Sequence, residues 1–142
     1  MLKSVFRYLI LIILAFLLAS CTSLPSIATQ SRSISLDASL SIYRKMIRWG
    51  YYDEAAKYLR TSDGSVASPD LDRVAQYRVT NYNMGDQLIA DNGKEARVIA
   101  MIEYYELDSG VIHTLRDEQH WWYDEDEKRW YLGSPLPGFG HE

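Results

Sequence analysis

The side chains of this 142-residue chain that could do chemistry are many carboxylates, eleven tyrosines, three histidines and one cysteine. Asp117 and Glu118 are neighbours on a predicted strand and must face opposite sides, so only one of them can enter a pocket. His113 and His120 lie seven residues apart on the same strand and also diverge, which argues against a shared metal site. His141 falls in a C-terminal tail. The acidic turn Asp124–Lys128 lacks the spacing and glycine of a calcium loop and reads as a solvated hairpin end. No glycine-rich phosphate loop and no serine nucleophile elbow is present. The expectation is therefore no catalytic residue, no metal and no cofactor.

The densest feature is aromatic: Trp121-Trp122-Tyr123 with Trp130-Tyr131. Alternation puts Trp121 and Tyr123 on one strand face and Trp122 on the other, and it separates Trp130 from Tyr131. One set then fills a core while the other packs beneath the helices' edge or the C-terminal tail. The alternative is a partly exposed aromatic platform for a partner, ligand or glycan. Tyr104, Trp121, Trp122, Trp130 and Tyr131 are the residues from which such a surface or pocket would be built.

Cys21 carries a more definite chemistry. A short basic start with Lys3 and Arg7 leads into the unbroken apolar run Tyr8–Ala19. Twelve helical residues rise only about 18 Å, short of the roughly 30 Å hydrocarbon layer, which suits a signal-peptide core. The run ends in Leu18-Ala19-Ser20-Cys21, which resembles the bacterial lipobox. That resemblance implies a diacylglyceryl thioether on Cys21, cleavage before it and acylation of the new amino group. Each buried methylene contributes about 0.8 kcal/mol, so two or three acyl chains hold a bilayer far more firmly than one. The alternative is an uncut N-terminal anchor. Thr22, where an aspartate would retain such a protein at the inner membrane, points to the outer membrane with the domain facing the periplasm.

After Cys21 there remain 13 of the 15 basic and all 19 acidic side chains, a formal charge of −6. An acidic domain gains nothing from phosphate neutralisation, so nucleic acid is not an expected partner. The same sign argues against a polybasic grip on anionic lipid. With Cys21 the only cysteine, no intramolecular disulfide forms.

The elements that must position these residues follow in order. Residues 1–20 are the signal peptide, and 21–35 are the lipidated cysteine with a Ser/Thr-rich flexible tether of about 20 Å reach, which lets the domain hover near the bilayer without being pressed into it. Residues 36–134 form one α+β domain, Pro135 and Pro137 end regular structure, and 135–142 are a tail. Leu36, Leu40, Tyr43 and Ile47 mark a first helix stopped by Gly50, and Tyr52, Ala55, Ala56 and Leu59 a second. Ser68-Pro69-Asp70 caps a short turn, with proline at the first helical position. A strand over about 74–90 carries a bulge near Met84-Gly85 and reaches a two-residue Asn-Gly hairpin turn at 91–94. The next strand alternates, with Ala96, Val98, Ala100, Ile102 and Tyr104 on one face and Glu95, Arg97, Glu103 and Tyr105 on the other. Val111–Tyr123 and Arg129–Gly133 complete about four antiparallel strands, one face covered by the two helices.

The order helix, glycine, then Tyr-Tyr-Asp-Glu-Ala-Ala-Lys-Tyr-Leu, followed by a curved meander ending in Trp-Tyr-Leu, resembles the NTF2-like (cystatin-like α+β) superfamily over residues 36–134. It is similar to small uncharacterised bacterial lipoproteins of that type. The resemblance implies a cone whose mouth holds a small ligand or, in its isomerase branch, an aspartate base with tyrosine donors. No position here matches that isomerase pattern residue by residue. The functional expectation is a membrane-anchored, non-catalytic lipoprotein that binds another envelope protein or supports an assembly. The alternatives are a carrier or sensor of a small apolar ligand and, behind it, an isomerase-like enzyme. Whether the space between helices and sheet is filled or open discriminates among them.

Overall fold

The computed structural model describes residues 27–140. The signal segment, the Leu18-Ala19-Ser20-Cys21 ending and His141 lie outside the described residues. Helix α1 (Ile27–Trp49), short helices α2 (Tyr52–Ala56) and α3 (Leu71–Val74), and strands β1 (Tyr77–Ile89), β2 (Glu95–Glu106), β3 (Ile112–Asp124) and β4 (Arg129–Leu132) follow one another along the chain. The strands form one open antiparallel sheet in the order β1-β2-β3-β4. The α+β class and the four-strand meander thus agree with the sequence reading.

Helix α1 presents Leu36, Leu40, Tyr43 and Ile47 to the sheet and buries all four. It begins at Ile27, so Ile27–Ser35, assigned above to the flexible tether, is helical. Tertiary contacts override the modest helix propensity of a Ser/Thr-rich stretch here. The Arg32 side chain donates to the Asn92 carbonyl at 3.4 Å and pairs with Glu125 at 3.0 Å, while its carbonyl accepts from Trp130 Nε1 at 3.1 Å. Gly50, at φ +76°, ends the helix in a conformation that costs glycine little. The second helix is shorter than the apolar spacing implies. Only Tyr52–Ala56 is helical, because Leu59 leaves the helical path to bridge Leu132. In the third, Asp70 is the N-cap, accepting from the Arg73 backbone N–H at 3.0 Å, so Pro69 precedes the cap instead of occupying the first helical position.

Register shifts in β1 fall between Val79 and Asn81 and between Met84 and Gln87, the second at the bulge expected from Met84-Gly85. The β1–β2 connection is not the two-residue turn that Asn92-Gly93 suggested. Ala90 N–H bonds to Glu95 O at 2.9 Å and Gly93 N–H to Ala90 O at 2.8 Å, leaving residues 91–94 as the loop. A type I′ turn needs positive φ at both central residues. Gly93 has it at +65°, but among the described non-glycine residues only Lys128 does.

The β2 alternation is as predicted: Ala96, Val98, Ala100, Ile102 and Tyr104 are all buried. The larger departure is at the C-terminus. Leu136, Pro137 and Phe139 are buried, with Phe139 fully so, and its ring lies 4.8 Å from that of Tyr104. The segment placed outside the domain as a tail is part of its core.

Candidate functional site

The space between α1 and the sheet is filled by aromatic side chains with a polar cluster in their midst. Trp121, fully buried, meets Tyr43 of α1 at 5.3 Å and Tyr58 at 5.6 Å, both edge to face. Asp117, Gln119 and Trp121 alternate on β3 and so share its inner face. The Trp121 indole N–H donates to Gln119 Oε1 at 3.0 Å. An indole nitrogen can only donate, so this bond fixes the orientation of the amide. Gln119 Nε2 then faces the other way, donating to Tyr82 Oη at 2.6 Å and to Asp117 Oδ2 at 2.6 Å. Tyr82 stands on β1, two strands away. Small Ala100, buried on the intervening strand and paired with Asp117, leaves room for the contact to cross β2. The Tyr43 hydroxyl is buried nearby without a hydrogen-bond partner.

Burial pushes the Asp117 carboxyl above the ordinary carboxylate range, with the Gln119 hydrogen bond pulling the other way. Burial likewise raises the Tyr43 phenol, and the nearby Asp117 and Tyr82 add to that shift. A protonatable carboxyl between phenols has the composition of a proton-transfer site, yet here it is sealed into packing. Its consequence is for stability. The folded state holds the Asp117 proton more tightly than the unfolded chain does. Its stabilisation is therefore complete below the ordinary value of 3.8 and is lost as pH rises towards the higher folded pKa. Asp117→Asn keeps an oxygen for Gln119 and removes the ionisation. The variant should gain on the wild type as pH rises from 4 to 7, in paired thermal melts. Equal melting temperatures across that range would mean that Asp117 is not held protonated.

The aromatic residues named from the sequence are brought together, but as packing. Tyr104, Trp121, Trp130 and Tyr131 are buried and Trp122 is half-buried. Trp122 and Tyr131 do lie on the face opposite Trp121, where they tile each other at 5.4 Å beneath Arg60. Arg60 caps the Tyr131 ring at 4.1 Å, and its carbonyl accepts from Trp122 Nε1 at 2.7 Å. The cover over the outer aromatic pair is therefore the chain just after α2. His113 stacks on Tyr104, whereas His120 lies on the opposite face, 3.8 Å from Glu95. Among the described residues no group of three or more His, Cys, Asp or Glu could hold a metal ion.

Away from the pair roofed by Arg60, the outer face of the sheet is bare. Leu88, Met101 and Ile112 are exposed there, and Ile99 is partly so. A groove of about 640 Å³ crosses it, with Leu88 and Ile99 as apolar lining and Arg97, Arg116, Glu118 and His120 around them. Arg116 and Glu118 form an ion pair at its edge. This surface was missed because the outward set on β2 and β3 reads as an ordinary solvated face. Its one signal was the apolar residues Ile99, Met101 and Ile112 at outward positions. Compared with known proteins, the chain matches no family model, and neither a curated protein nor a solved structure is similar to it.

Proposed function

We propose that this chain is a lipid-anchored lipoprotein of the bacterial envelope, held by acylated Cys21 and facing the periplasm. Its NTF2-like domain is non-catalytic and docks another envelope protein. The observation that carries the docking reading is the contrast between the two sheet faces. The helix-covered side is packed with Trp121, Tyr43 and Tyr58, while the other side, beyond the Trp122–Tyr131 pair under Arg60, is uncovered and grooved. Exposed aliphatic side chains ringed by charges of both signs suit a protein partner, since apolar contact supplies affinity and the charged rim selects register. The packing around Asp117 leaves little space for a small apolar ligand, which favours docking over a carrier role.

Two measurements in intact cells test this. Cys21→Ala should abolish palmitate labelling and accumulate the uncleaved precursor without lowering the melting temperature of the domain. Labelling that persisted in this variant would refute the anchor. A photo-crosslinking residue at Met101 should form a discrete heavier adduct that the same residue at Glu54 does not form. Ile99→Asp should remove that adduct while leaving the fold intact. Equal crosslinking at both positions, or an adduct indifferent to Ile99→Asp, would count against the docking face.

A further inference from the structure

Helix α1 has a second, outward apolar face. Ile27, Ile34, Ile42 and Trp49 are exposed, Trp49 by 69% and Ile27 by 88%. At 100° per residue these four fall within one sector of the helix, opposite the Leu36–Tyr43 face that packs on the sheet. The same helix is the basic part of an acidic molecule. It carries Arg32, Arg44, Lys45 and Arg48 against Asp37 alone, a formal +3. The rest of the described chain has nine basic and seventeen acidic side chains, a formal −8. Three of the α1 cations cluster at its C-terminal end. Arg44, Lys45, Arg48 and Trp49 border a niche of about 240 Å³ with Asn81 and Tyr82. Arg48 is fixed there by a 2.6 Å hydrogen bond to the Val79 carbonyl and lies 5.7 Å from the Trp49 ring centre.

We propose that α1 lies flat on the bilayer, with Ile27, Ile34, Ile42 and Trp49 in the headgroup layer and its C-terminal cations on anionic lipid headgroups. The proposal rests on the anchoring reading, because the length of chain before the helix selects the occupant. Five residues separate Cys21 from Ile27, six steps along the chain, so the start of α1 stands at most about 20 Å from the acylated cysteine whatever path the chain takes. The long spacer that would let the domain hover is not available, since most of it is helix. With 23 residues α1 extends about 35 Å, enough to cross a membrane, but no described helix is apolar enough to do so. A long helix with four exposed apolar side chains along one sector, Lys45 set among them, Arg44 and Arg48 beside it and a terminal tryptophan suits the interface plane. The segregated charge orients it: a negative surface attracts α1 and repels the remainder of the domain. A second copy packed parallel along this face would bring the two Arg44–Arg48 clusters together. In this pose the bare outer face of the sheet, on the side away from α1, points from the membrane towards a partner.

The test uses the mature lipidated protein in vesicles of phosphatidylethanolamine and phosphatidylglycerol. Cys21 is the only cysteine of the chain. Once it is acylated, an introduced thiol can be labelled alone. An environment-sensitive fluorophore on Ile42→Cys should emit to the blue, and lipid-borne nitroxides should quench it about threefold more than the same probe on Ile112→Cys, on the outer sheet face. Replacing phosphatidylglycerol with phosphatidylcholine should reduce that difference. If the vesicles float with the protein but the probe at 42 is as water-exposed as that at 112, α1 does not touch the bilayer and this inference fails while the anchor stands. If the protein does not float with the vesicles at all, the anchor fails and takes the inference with it.

Discussion

Trp121→Ala should lower the stability of the domain by about 3–5 kcal/mol. The indole is fully buried against Tyr43 and Tyr58, so truncation leaves a cavity at the centre of the helix–sheet interface. It also strands Gln119 Oε1, which accepts from the indole at 3.0 Å and would face only the cavity. Domains of this size have a total stability of about 5–15 kcal/mol. The melting temperature should therefore fall by on the order of 15 °C. Trp121→Phe keeps most of the packing and loses the donor, so it should fall between the wild type and the alanine variant. A thermal scan of all three proteins decides the matter. An alanine variant melting within about 2 °C of the wild type would mean that the interior is not built around this ring.

Phe139→Ala should be nearly as costly, about 3–5 kcal/mol, although the residue lies in a stretch that composition places outside the domain. Its ring packs on three others, at 4.8 Å from Tyr104, 5.6 Å from Tyr77 and 6.2 Å from Tyr52. The backbone around it is tied down as well. Arg73 donates to the Phe139 carbonyl at 2.9 Å, and Gly140 N–H donates to the Tyr104 hydroxyl at 3.2 Å. These contacts join the C-terminus to α3 and to the strand ends near Tyr77 and Tyr104. Ending the chain after Ser134 removes Leu136, Pro137 and Phe139 together and should destabilise more than the single substitution. If the shortened chain unfolded at the same denaturant midpoint as the full one, residues 135–140 would be a tail after all.

Both core predictions bear on the two proposed surfaces. The outer sheet face and the outer face of α1 are set back to back by a core to which both Trp121 and Phe139 belong. A variant that loosened this core would blur any difference between the probes at Ile42 and Ile112. Those probes belong in an otherwise native core.

The apolar fraction of the chain is distributed so that periodicity alone reveals much of the fold. On β2 the residues Ala96 to Tyr104 alternate without interruption, because a strand with one wet face must alternate. On α1 the spacing of Leu36, Leu40, Tyr43 and Ile47 identifies the buried stripe for the same kind of reason. Gly50 and the Met84-Gly85 bulge were legible because local backbone geometry demanded them. Cys21 and the run before it carry a complete local expectation as well, since signal recognition reads contiguous residues.

What failed did so where the deciding contact is distant in sequence. Residues 27–35 look like a spacer until Arg32 meets Asn92 and Glu125 and its carbonyl meets the Trp130 indole. The tail looks loose until Phe139 finds Tyr77 and Tyr104. The aromatic cluster could be split between two faces by alternation, but which pair would be roofed, and by Arg60, could not be read. Strand parity suffices to put Asp117, Gln119 and Trp121 on one side of β3, yet only the register across β2 brings Tyr82 to them. Elements form from neighbours a few residues apart, so the sequence by itself determines their type and their apolar face. Which face stays bare, and which distant residue closes a core, is decided by packing among elements, whose energies no local pattern contains.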